Sequence, residues 1–116
     1  MNNPRIFRYT FAGLLPLYVQ KVEKKGRSRD EVEQVVCWLT GYSRDGLAEQ
    51  VERKVDLETF FREAPAFNPN ADKITGTICG VRLAEIDDPL MRKIRYMDKL
   101  VDELAKGRPM EKVLRT

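Results

Sequence analysis

One segment of the chain is punctuated as a helix at both ends. Ser28 and Glu31 stand at the spacing of a capping box, in which each side chain satisfies an orphan amide at the helix start. Val32, Val35, Val36 and Leu39 recur at helical spacing and form one apolar stripe. Gly41 sits where a left-handed stop residue belongs, and Ser43 is placed to cap a second helix. A helix-turn-helix unit is therefore dictated locally. Its apolar stripe demands partners elsewhere in the chain.

The 116 residues suffice for a single domain, 1–116, with its own core and no need of a metal or disulfide staple. An apolar fraction of 42% with 34% charged residues suits a soluble, helix-rich globular protein rather than a disordered one. No apolar run approaches the roughly 18–20 residues of a membrane span. Residues 1–4 read as a flexible polar lead without the hydrophobic core of a signal peptide. A cytoplasmic location without a membrane partner is expected.

The remaining elements follow from the same signals. Residues 5–11 are short and aromatic-rich, and read as a strand or an extended arm. A helix is expected from about Leu14 to Lys25, with Pro16 in its first turn and Leu15, Tyr18, Val19 and Val22 on its apolar face. A helix over 44–54 turns Leu47, Ala48 and Val51 inward, and Asp56 caps a short helix holding Leu57, Phe60, Phe61 and Ala64. Residues 64–70 form a loop by their prolines and asparagines. The stretch 74–86 reads two ways. Ile74, Ile78 and Val81 fit a helix that Asn70 would cap, whereas Gly76, Gly80 and the β-branched content fit a strand paired with 5–11. Asp88-Pro89 opens a long helix with Leu90, Ile94, Met97, Val101 and Leu104 as its stripe, its other residues covering the polar side. Gly107 ends it, and Pro109 opens a last amphipathic turn with Met110, Val113 and Leu114. The expected fold is mainly α: a compact single-domain bundle of five or six helices, with at most a minor two-stranded β element from 5–11 and 74–83.

Candidate chemistry is sparse. The chain has no histidine, which removes the commonest general base and transition-metal ligand together. Its two cysteines, Cys37 and Cys79, lack the spacing of a zinc site and read as buried structural thiols. Cys37 lies near the C-terminal end of its helix, where the dipole disfavours a thiolate. The acidic pairs Asp30/Glu31, Asp87/Asp88 and Asp102/Glu103 are better placed as caps and solvated faces than as a hydrolytic dyad. Gly76 to Gly80 lacks the Lys-Ser/Thr of a phosphate loop. No catalytic residue, metal site or cofactor is assigned.

Three functional readings remain. Trp38 and Tyr42, four apart beside the break at Gly41, would wall a small-ligand pocket, with Arg82 or Arg95 holding an anion; core packing explains the same aromatics. Net charge is +6 over residues 1–29, −5 over 30–64, −1 over 65–104 and +3 over 105–116. Such basic ends around an acidic middle suit a self-complementary surface and a homo-oligomer, or else a basic patch of Lys21, Lys24, Lys25, Arg27 and Arg29 that meets nucleic acid. A DNA-reading helix-turn-helix is disfavoured because its second helix sets Asp45, Glu49 and Glu52 against Arg44, Arg53 and Lys54. The favoured reading is a small non-enzymatic interaction or ligand-binding module. Nucleic-acid binding is the alternative, and an enzyme of unrecognised type the third.

Five blocks also carry a resemblance: Tyr18 to Arg27 (YVQKVEKKGR), Trp38 to Ser43 (WLTGYS), Ile78 to Arg82 (ICGVR), Asp88 to Gly107 (DPLMRKIRYMDKLVDELAKG) and Met110 to Arg115 (MEKVLR). In order and spacing they resemble one bacterial family of unknown function, the domain numbered 2200. The resemblance implies a compact, free-standing bacterial cytosolic protein and brings no activity or catalytic residues with it.

Val22, Val32, Val36, Leu39, Ile94, Met97, Val101 and Leu104 should form the core. Val36→Asp would place an unpaired charge there and should abolish cooperative thermal unfolding. An unchanged melting temperature would mean the apolar face is assigned wrongly.

Overall fold

The main helix signals in the sequence have matching caps in the computed structural model, which describes residues 4–116. Seven α-helices occur among these residues: α1 (Pro4–Phe7), α2 (Phe11–Glu23), α3 (Arg29–Thr40), α4 (Arg44–Glu52), α5 (Leu57–Arg62), α6 (Pro89–Ala105) and α7 (Met110–Val113). Four of them are substantial, and α1 and α7 are single turns at the two ends. The capping box of α3 is complete, with Ser28 accepting from the Glu31 amide and Glu31 accepting from the Ser28 amide. Ser43, Asp56 and Asp88 cap α4, α5 and α6 by accepting from the amides of Gly46, Thr59 and Met91. Gly41 closes α3 at φ 83°, and a Cβ there would stand 2.7 Å from the Ala66 amide nitrogen, so both conformation and space require glycine.

The core is one cluster built mainly by α2, α3 and α6, closed by α4, α5 and α7. Val32, Val35, Val36 and Leu39 are fully buried, as the stripe requires. So are Val22, Ile94, Met97, Val101 and Leu104. An aromatic column ties α2 to α5: Phe11 stacks on Phe60 at 4.2 Å, and Tyr42 and Phe61 flank Phe60.

Several expectations are corrected. Residues 5–11 are not a strand. They form α1 and a turn, and Thr10 makes one isolated antiparallel bridge with Asp56 while its hydroxyl caps α2. Helix α2 thus starts at Phe11, whose burial anchors it, and Pro16 lies beyond the first turn on the exposed side. The expected lead over 1–4 falls, except for Pro4, outside the described residues. Stretch 74–86 is neither one helix nor a partner of 5–11. It is a hairpin of β1 (Thr77–Ile78) and β2 (Val81–Arg82), preceded by a 3-10 turn over Pro69–Lys73 and followed by another over Leu83–Glu85. Thr77 pairs with Arg82 and Ile78 with Val81. The two turn residues, Cys79 and Gly80, both have positive φ (54° and 77°), the signature of a tight hairpin whose twist matches its strands. That turn puts Cys79 on the surface rather than in the core. On α4, Gln50 is buried and Ala48 is exposed. Along α6, Met91 and Leu100 are buried and Leu90 only half-buried, because the helix is covered on more than one side.

Polar contacts fasten the periphery. Arg27 donates from Nε and Nη2 to Glu31 (3.0 and 2.7 Å) and from Nη1 to the carbonyls of Leu104 and Arg108 (3.2 and 2.8 Å). It joins the start of α3 to the end of α6. Glu103, expected on the solvated side of α6, is 6% exposed and takes a forked pair from Arg115 (2.5 and 2.8 Å) with Arg108 at 3.1 Å.

Arg27→Ala should destabilise the domain by about 2 kcal/mol, since charge-assisted bonds are lost and the Leu104 and Arg108 carbonyls lose a donor. Hydrogen bonds from Arg27 hold the Glu31 carboxyl below its ordinary 4.5. A depressed carboxylate contributes stability above its unfolded pKa and loses it as pH falls through the folded value. Urea titrations between neutral pH and pH 3 should therefore show a shallower acid loss in Arg27→Ala than in the wild type. Equal slopes would contradict this coupling.

Candidate functional site

A cleft opens where the hairpin and its two flanking 3-10 turns lean against α6. The first turn is fixed to the end of α3: the Asn68 amide donates to the Leu39 carbonyl (2.8 Å), and its side-chain nitrogen to the Trp38 carbonyl (3.2 Å). Asn68 also caps the turn by accepting from the Asn70 amide. Ala71 and Ile74 are buried, which leaves Asp72 between them facing outward. The hairpin is fastened at its base by the Leu83 amide on the Gly76 carbonyl and by Lys99 Nζ on the Thr77 carbonyl (2.9 Å). On α6, Arg92 donates from both Nε and Nη2 to the Ile86 carbonyl, which pins its guanidinium against the second turn.

The enclosed volume is about 810 Å³, within the range of small-molecule sites. Asp72, Thr77, Arg82, Glu85, Arg92 and Tyr96 supply its polar lining. A second concavity of about 290 Å³ adjoins it, bordered by the same Asp72, Arg92 and Tyr96 and by Phe67, Asp87 and Lys93. Lys93 Nζ stands 4.9 Å from the centre of the Phe67 ring. Arg82 and Glu85 pair loosely at 3.6 Å, both well exposed. No ion pair joins Asp72 or Arg92 to any group among the described residues. The site therefore offers charges of both signs, of which Arg92 is held in place, with a phenol and backbone groups. Among the described residues, no group of three or more acids and cysteines is arranged to hold a metal ion.

The four residues proposed from sequence do not gather in one place. Arg82 lines the cleft. Tyr42 is 7% exposed, and its hydroxyl donates to the Phe60 carbonyl at 2.6 Å. Trp38 is half-buried against the core, and its indole nitrogen is buried without a partner. Arg95 donates to Asp98 (2.9 Å) and lies 3.6 Å from the Cys79 sulfur. Asp98 in turn accepts from the buried Tyr18 hydroxyl. Burial, aided by Asp98, pushes the Tyr18 phenol well above its ordinary value. Burial also pushes the Cys37 thiol up, so its environment favours the neutral form.

The basic face is largely committed elsewhere. Lys21 pairs with Asp102 at 3.1 Å and Arg29 with Glu33 at 2.8 Å, while Arg27 holds Glu31 and two carbonyls. Lys24 and Lys25 are exposed.

Sequence reasoning missed Asp72, Arg92 and Tyr96. One signal was available: Arg92 and Tyr96 are four apart, and a tyrosine on an otherwise charged helix face calls for a reason. Asp72 carried none, since its orientation depends on the turn.

A helical domain with a hairpin-lipped polar cleft on its longest helix is the class that fold and site define. The chain belongs to the DUF2200 family, described as uncharacterized proteins conserved in bacteria, whose family model matches residues 5–115. It is similar to the crystal structure of uncharacterized protein SP1917, at 45% identity and a TM-score of 0.91, over 97% of this chain and 93% of that one. No curated protein matches the chain. No helix among the described residues is long and apolar enough to cross a membrane.

Burial, with Glu63 nearby, pushes the Tyr42 phenol up to about 12. An unfolded tyrosine titrates near about 10. The neutral phenol's contribution to stability is thus complete below about pH 10 and is lost as pH rises towards 12. Chemical denaturation across that window should show a steeper loss in the wild type than in Tyr42→Phe. Parallel curves would mean that Tyr42 is not held neutral by the fold.

Proposed function

We propose that this protein is a small ligand-binding module and that the cleft between the hairpin and α6 is where it binds a small polar organic molecule. One observation carries the reading. Asp72 and Arg92 line the same volume without neutralising each other, on backbone anchored at both ends of the cleft. The Arg92 guanidinium is already held in place, and a group that needs no rearrangement lowers the cost of binding.

The half-buried Tyr96 supports it by adding a ring and a hydroxyl to the lining of both concavities. The lack of histidine and the position of both cysteines outside the cleft lining favour binding over catalysis. The committed ion pairs of Lys21, Arg27 and Arg29 weigh against a nucleic-acid surface.

A panel of polar metabolites, screened by thermal shift, tests the reading. A true ligand stabilises by mass action, about 2.7 kcal/mol at a hundred times its Kd. Tyr96→Ala and Asp72→Ala should fold normally and lose at least ten-fold in affinity. A saturable ligand that binds both variants as tightly as the wild type would move the site elsewhere on the molecule.

A further inference from the structure

We infer that the cleft is built for a ligand that carries separated charges of both signs, a zwitterion of short-peptide size, with its carboxylate on the Arg92 side and its ammonium on the Asp72 side. The inference rests on the ligand-binding reading and specifies its chemistry. The charge inventory is the first argument. The larger concavity sets Asp72 and Glu85 against Arg82 and Arg92. The smaller sets Asp72 and Asp87 against Arg92 and Lys93. Each is balanced, so a simple anion or a simple cation meets as many like charges as opposite ones. A molecule with both signs at its two ends satisfies both sets.

Geometry is the second argument. Arg92 is immobilised by its two bonds to the Ile86 carbonyl, and its Nη1 has no partner among the described residues. Asp72 sits on a capped turn, and its side chain makes no hydrogen bond or ion pair among the described residues. Opposite charges that share a cavity without pairing can each hold one end of a ligand. Size is the third. About 810 Å³ with a 290 Å³ neighbour that shares Asp72, Arg92 and Tyr96 suits an elongated molecule better than a single free amino acid. The Tyr96 phenol, bordering both spaces, can donate to a peptide carbonyl between the two ends.

The test uses the full chain, isotope-labelled, with trialanine as the probe, alongside N-acetyl-trialanine and trialanine amide. Trialanine should shift the backbone amides of Asp72, Arg82, Arg92 and Tyr96 saturably. Each singly capped analogue should bind at least ten-fold more weakly. Asp72→Asn should weaken trialanine at least five-fold and leave N-acetyl-trialanine unchanged, because that probe has no ammonium to lose. Equal affinity for free and capped peptides would overturn the charge inference while leaving a ligand site in the cleft. Absence of any saturable shift from all three would overturn it outright. The metabolite screen would then decide separately whether the cleft binds anything.

Discussion

Everything in this domain leans on α6. Its 17 residues carry buried side chains at Met91, Ile94, Met97, Leu100, Val101 and Leu104, a band wider than a single stripe. A helix apolar over so much of its circumference must be covered on several sides. Here α2, α3, α5, α7 and the β1 hairpin all pack on it. At about 1.5–3 kcal/mol for each large apolar side chain withdrawn from water, this burial is the largest favourable contribution one helix makes. The other helices are short, and short helices are marginal alone. They persist because α6, directly or through α2, α3 and α5, gives their apolar faces somewhere to go.

Polar contacts then fix what apolar packing leaves loose. Hydrophobic burial turns the apolar face of a helix inward but is non-directional beyond that, so it leaves the register loosely set. Arg27 fixes it at one end by bridging Glu31, the Leu104 carbonyl of α6 and the Arg108 carbonyl just beyond it. Tyr18 on Asp98 and Lys21 on Asp102 do so along the α2–α6 seam. Glu103 and Arg115 hold the C-terminal segment. The uneven charge along the chain acquires a partial explanation. Lys21 meets Asp102 of α6, and Arg27 and Arg29 meet Glu31 and Glu33 of α3, which reduces the free positive surface that a linear count suggests.

The cleft inherits its rigidity from the same helix. The buried residues of α6 recur every three or four positions, which turns Arg92 and Tyr96 outward together, and the facing wall is tied down by Asn68, Lys99 and the Ile86 carbonyl. Sites on packed helices hold their geometry better than sites on free loops. The facing wall is irregular backbone, but both of its ends are bonded to helices. This arrangement supports the binding role proposed for the cleft.

What the sequence determined alone were the features that depend on neighbours in the chain. The capping box at Ser28, the stop at Gly41, the Asp88-Pro89 start and the α3 stripe are local, because caps and periodicities act over a few residues. The mainly α class followed from them. Tertiary structure decided the rest. Stretch 74–86 held conflicting local preferences, and packing of Ile74, Ile78, Leu83 and Ile86 against the body selected a hairpin between two turns. Residues 5–11 looked extended because they are short and aromatic-rich, yet burial of Phe11 against Phe60 made it the start of a helix. Of the residues chosen from sequence for a site, only Arg82 lines the cleft; Trp38 and Tyr42 signalled a break in the helix, and the fold turned that break towards Phe60. Asp72, Arg92 and Tyr96 come together only when a turn some twenty residues away folds back on α6. No local signal encodes that approach, because it is fixed by which apolar faces the core has room to bury.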